Sequence, residues 1–133
     1  MKTQKFISIK DEYRQARDGY SKFLNLYCGY CGNHVMLYQK DGPGPLMRTY
    51  LDRIFAPENL VGLQNKEKVP DLMCNSCHRR LAVPGIFEEE TRKAYFLLAY
   101  VVDKRIGPGI YPPKVSKIQA KYVPPAPLKK TKK

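Results

Sequence analysis

The chain has 133 residues, 43% of them hydrophobic, with 24 Lys/Arg against 12 Asp/Glu for a net charge of +12. That length suits one domain with extensions. No apolar run approaches the 18 residues of a membrane-spanning helix, and the first 20 residues mix acids with bases and lack the apolar core of a signal peptide, so a cytoplasmic location is expected. The charge is unevenly placed: residues 107–133 hold seven lysines and no acid, more than half of the excess. A basic, acid-free tail is an electrostatic footprint for a polyanion.

In chain order, residues 1–21 read as an N-terminal arm or short helix, on a weak helical pattern at Tyr13, Ala16 and Tyr20. Lys22–Tyr27 reads as a strand entering a first cysteine pair, and His34–Gln39 as the strand returning from it. The turn-rich Asp41-Gly42-Pro43-Gly44-Pro45 ends that strand. Leu46, Met47, Tyr50, Leu51 and Ile54 then recur at helical spacing, which predicts a helix near 46–55 with that face inward and Asp52 outward. Pro45 suits its first position, where the missing N–H is not needed. Residues 58–73 read as a loop leading to a second cysteine pair. Leu81–Phe87 and Ala94–Val102 flank polar Glu88–Lys93 and read as a β-hairpin, with a helix through 88–100 as the rival, because an apolar run of this length fits either period. From Gly107 onward the prolines oppose helix and sheet alike, so 107–133 is expected to be extended and to need a partner to order it.

The chemistry lies in Cys28-Gly29-Tyr30-Cys31 and Cys74-Asn75-Ser76-Cys77, which hold every cysteine of the chain. Two residues between cysteines let a tight turn aim both sulfurs at one point, and two such turns supply four thiolates, the ligand set of a structural zinc ion. Gly32 follows the first pair, where the turn calls for positive φ, and His78 stands in the matching place after the second. Paired disulfides would need an oxidising compartment. A redox C-x-x-C usually opens a helix after a strand, whereas here a polar turn and a second strand follow. Four cysteines leave no open position for a catalytic water, and His34 and His78 are not needed as ligands.

These paired knuckles, each leading into a hairpin, resemble the zinc-ribbon group over about residues 22–103. The resemblance implies a small α+β domain at 22–106 with the helix inserted, one structural Zn2+ on Cys28, Cys31, Cys74 and Cys77, and the tail at 107–133. A zinc-stabilised globule with a Pro/Lys extension is similar in architecture to ribosome-associated zinc-ribbon proteins. That likeness implies a non-enzymatic, rRNA-binding component of a ribonucleoprotein whose partners are RNA and neighbouring ribosomal proteins, with no membrane and no small-molecule substrate. Its candidate RNA contacts are Arg79 and Arg80 after the second knuckle, Tyr30 at the tip of the first, and Lys114, Lys117, Lys121, Lys129, Lys130, Lys132 and Lys133 of the tail. A DNA-binding or transcription-associated zinc ribbon and a protein–protein adaptor are the alternatives, with a redox or metal-dependent enzyme behind them. A phosphate held by Lys40 and Arg48 at the predicted helix start is a weaker reading than a rigid capping turn, because two prolines remove amides a phosphate would use. No catalytic grouping and no glycine-rich nucleotide motif emerges.

Overall fold

A computed structural model describes residues 3–13, 21–42, 45–98 and 102–119. The domain is mostly β. A two-stranded ribbon joins β1 (Gln4–Lys5) to β10 (Ile110–Tyr111). The first sheet is formed by β2 (Ser21–Cys28), β3 (His34–Asp41), β5 (Ile54–Ala56) and β9 (Val102–Gly107), in the order β5-β3-β2-β9. The second is formed by β4 (Arg48–Tyr50), β6 (Leu72–Met73), β7 (Arg80–Phe87) and β8 (Arg92–Leu97), in the order β4-β8-β7-β6.

Strand β2 alternates as a sheet requires. Leu24, Leu26 and Cys28 face a core that also takes Met36 and Tyr38 from β3, Leu51 and Ile54 from the next segment, and Leu81 and Tyr95 from the second sheet. Phe23, Asn25 and Tyr27 face the other way. That outer face is also covered. Phe55 meets both Phe6 and Phe23 edge-on. The Gln39 side chain pairs with both backbone groups of Ile9. The Tyr27 hydroxyl donates to the Val115 carbonyl at 2.7 Å. Two chain ends thus form a layer over the first sheet, which is why β3 is buried on both faces from Val35 to Lys40.

The helix expected near 46–55 is not there. Arg48–Tyr50 pairs with β8, Leu51–Arg53 makes one 3-10 turn, and Ile54–Ala56 pairs with β3. The segment crosses from one sheet to the other, and the turn between its strands mimics helical spacing. Tyr50, Leu51 and Ile54 are buried as expected, but Leu46 and Asp52 are only partly covered and Met47 is 64% exposed. The α+β expectation becomes mostly β, with helical residues at Glu12 and Tyr13.

The hairpin reading holds for Arg80–Phe87 and Arg92–Leu97, with Glu88–Thr91 as the turn between β7 and β8, but the second arm stops short of Val102, which opens β9 in the other sheet; residues 99–101 lie outside the described residues. After that turn the chain serves both sheets, β8 in the second and β9 in the first. Residues 107–119 do not wait for a partner, contrary to expectation: Ile110–Tyr111 pairs with β1, and Val115, Ser116 and Ile118 hydrogen-bond to the domain; the rest of the expected tail, 120–133, lies outside the described residues.

Candidate metal centre

Each knuckle is built by the end of a strand and a tight turn, and the two are congruent. In the first, Cys28 N–H donates to the Asn33 carbonyl and Gly32 N–H to the Cys28 carbonyl, both at 2.8 Å. In the second, Cys74 N–H donates to the Arg79 carbonyl at 2.9 Å and His78 N–H to the Cys74 carbonyl at 2.8 Å. Gly32 has φ 83° and His78 φ 64°, so the histidine takes the left-handed place that glycine takes in the first turn. Tyr30 N–H points at Cys28 Sγ and Ser76 N–H at Cys74 Sγ, each at 3.4 Å. Such amide donors stabilise thiolates.

The four sulfurs lie within 4.8 Å of one another. Cys28 and Cys77 are 3.7 Å apart, and Cys31 and Cys74 3.6 Å. A metal–sulfur distance of about 2.3 Å in a tetrahedron requires sulfurs about 3.8 Å apart, whereas a disulfide requires about 2.05 Å. All four cysteines are free thiols by geometry. The cluster is therefore shaped for one metal ion of structural kind. Cys28 and Cys74 are buried, and Cys31 and Cys77 half-buried. Burial pushes the Cys28 thiol up to about 12, and burial also raises Cys74. Burial acts upward on Cys77 too, but the Arg79 amide and the neighbouring sulfurs outweigh it and bring that thiol to about 7. Four thiolates this close need a cation to ionise together.

The remaining predicted residues divide. Arg79 lies 4.7 Å over the Tyr30 ring, so the second knuckle lends a cation to the tip of the first. Arg80 pairs at 3.4 Å with Asp71, both exposed. Lys114 and Lys117 are exposed, and Lys117 bridges Asn33 of the first knuckle. Lys121, Lys129, Lys130, Lys132 and Lys133 fall outside the described residues. Sequence reading missed the buried polar set beside the domain's ends: Arg53 on Asp11 and Asp41, Arg92 on Asp52, and His34 on Asn25. Only the contradiction of charged residues at apolar spacing could have signalled them. No family model, no curated protein and no solved structure matches the chain.

Proposed function

We propose that the protein is a non-enzymatic, zinc-stabilised RNA-binding component of a ribosome or ribosome-like ribonucleoprotein, acting in the cytoplasm. The observation that supports the reading is an arginine–tyrosine pair at the first knuckle with the backbone of the basic C-terminal segment docked beside it. Arg79 reaches Tyr30 from the second knuckle, and the basic C-terminal segment is tied on by Lys117 at Asn33 and by Ile118 N–H donating to Gly32 O at 2.8 Å. An arginine over a tyrosine presents a charged, planar surface suited to stacking on an unpaired base. The lysines that follow suit phosphates, and no acid dilutes them.

Zinc is the metal assigned to the cluster, because four thiolates in a closed tetrahedron suit it and leave no site for a reacting water. The DNA-binding alternative is weaker here, since the described residues offer no α-helix with a basic face for a major groove. Co-sedimentation of tagged protein from native lysate, with and without ribonuclease, tests the reading. Association with a particle that ribonuclease abolishes supports it, and association that survives complete RNA digestion favours the adaptor.

A further inference from the structure

Between the outer face of the first sheet and the segment that crosses it lies a cavity of about 300 Å³. Its walls include Ile106, 70% exposed, and Val115, 51% exposed. Arg105 and Lys114 stand on its lining, and no carboxylate among the described residues does. Asp103 holds Arg105 only at 3.5 Å, and that guanidinium remains 58% exposed.

The informative residue in this cavity is Asn25. It is 7% exposed. His34 Nε2 meets its Oδ1 at 2.8 Å. Burial pushes His34 down to about 4, so at neutral pH the ring is uncharged and Nε2–H donates to that oxygen. The carboxamide is thereby fixed with its nitrogen turned the other way, and Nδ2 has no hydrogen-bond partner among the described residues. Gly107 stands beside it and also lines the cavity; a Cβ there would come within 2.6 Å of Nδ2. The glycine leaves the donor uncovered. An amide N–H left open at a cavity wall is available to a ligand or water that accepts from it.

We infer that this cavity binds one unstacked nucleobase of single-stranded RNA, with an acceptor atom of the base taking the Asn25 Nδ2 proton. The volume is at the lower end of ligand pockets, roughly 300–1,000 Å³, which suits one base and not an extended ligand. Ile106 and Val115 supply an apolar surface for the base, while Arg105 and Lys114 meet its flanking phosphates. A base edge always offers a carbonyl oxygen or ring nitrogen, so the contact tolerates any base. The inference rests on the RNA-binding reading and gives it a location away from the metal centre.

The test uses the full chain loaded with zinc. Fluorescence anisotropy compares an oligouridine of about eight nucleotides with an abasic oligomer of the same length and charge. The unaltered protein should favour the base-bearing oligomer about tenfold. Gly107→Ala, which covers Nδ2, should reduce that preference to the part owed to stacking on Tyr30, which Tyr30→Ala removes separately, and leave the salt-dependent binding of both oligomers; an undiminished preference in Gly107→Ala overturns the pocket. Equal affinity for the two oligomers in the unaltered protein overturns the pocket and leaves the RNA reading standing; binding of neither oligomer overturns both. Should Gly107→Ala fail to fold, the Asn25 side-chain amide resonance of the unaltered protein decides. It should shift on adding oligouridine and not the abasic oligomer, and no shift at saturation overturns the inference.

Discussion

Arg53 grips Asp11 with two teeth, Nη1 on Oδ2 at 3.1 Å and Nη2 on Oδ1 at 2.5 Å, across 42 residues of chain. Its Nε holds Asp41 Oδ2 at 2.9 Å on the same guanidinium. Arg53 is 1% exposed, so the N-terminal segment is fastened to the domain by a charge that water hardly reaches.

Breaking that fastening should separate stability from docking. Arg53→Met leaves Asp41, whose side chain is 6% exposed, buried without its cation. Removing one partner of a buried pair costs about 3–5 kcal/mol, and urea unfolding should show a loss of that order. Asp11→Asn should cost less, because Asp11 is itself 35% exposed. It should instead speed protease cleavage near residues 3–13 while the zinc-loaded domain stays folded.

Metal content sets the second expectation. One zinc ion per chain should be found by elemental analysis. Cys28→Ser or Cys74→Ser should unfold residues 22–103, since structural zinc supplies roughly 10–16 kcal/mol of apparent binding energy in small modules. A folded, metal-free protein with four reactive thiols would contradict it.

Leu51 and Met47 lie on the same crossing segment and should behave oppositely. Leu51 is 1% exposed within the core, and Leu51→Ala should cost about 2–5 kcal/mol. Met47 is 64% exposed, and Met47→Ala should fall within about 0.5 kcal/mol of the parent. Thermal or urea midpoints of the two variants check the contrast.

His34 should make stability pH-dependent. Its folded pKa is about 4 against an ordinary value of 6.5. Between those values the unfolded chain binds the proton and the folded chain does not, so the contribution is complete above pH 6.5 and is lost as pH falls toward 4. The urea midpoint should therefore drop from pH 7.5 to pH 5, and His34→Gln, which cannot take up a proton there, should show a smaller drop. Equal drops would remove His34 from the account.

The lysine-rich end should be separable from the docked segment. Deleting residues 120–133 removes five lysines and leaves Gln119 and all before it. RNA affinity should fall, and the log–log salt slope should flatten by about 0.7–0.9 for each phosphate no longer neutralised. Zinc content should be unchanged. Deletion from Gly107 should do more damage, because it uncovers Tyr27 and frees the Gly32 carbonyl.

The metal site and the hairpins around it were legible because their signals are local. A C-x-x-C turn is defined by four residues, and β2, β3 and β7 are runs whose alternation or β-branched content does not depend on distant partners. The crossing segment was not legible. Leu46, Met47, Tyr50, Leu51 and Ile54 satisfy a helical period, yet Thr49 pairs with Tyr95 and Tyr38 with Ile54, and only those distant strands decide between the two structures. The early tail misled for a related reason. Its prolines exclude regular structure of its own, but Ile110 and Tyr111 complete a ribbon with Lys5 and Gln4, more than a hundred residues earlier. Asn25 looks like an ordinary polar position on a strand until His34 and Gly107 are placed beside it.

The hydrogen bond from Ile118 to Gly32 holds Ile118 against a metal-binding turn. Any partner taken up by residues 120–133 would be joined to that turn through the chain itself. Those 14 residues span at most about 50 Å when fully extended. A partner bound at their far end therefore experiences the knuckle at a high local concentration, and the search for a second contact is confined to a sphere of that radius. Lengthening that connection would dilute the encounter, and cutting it would make a contact on the globule find such a partner from free solution.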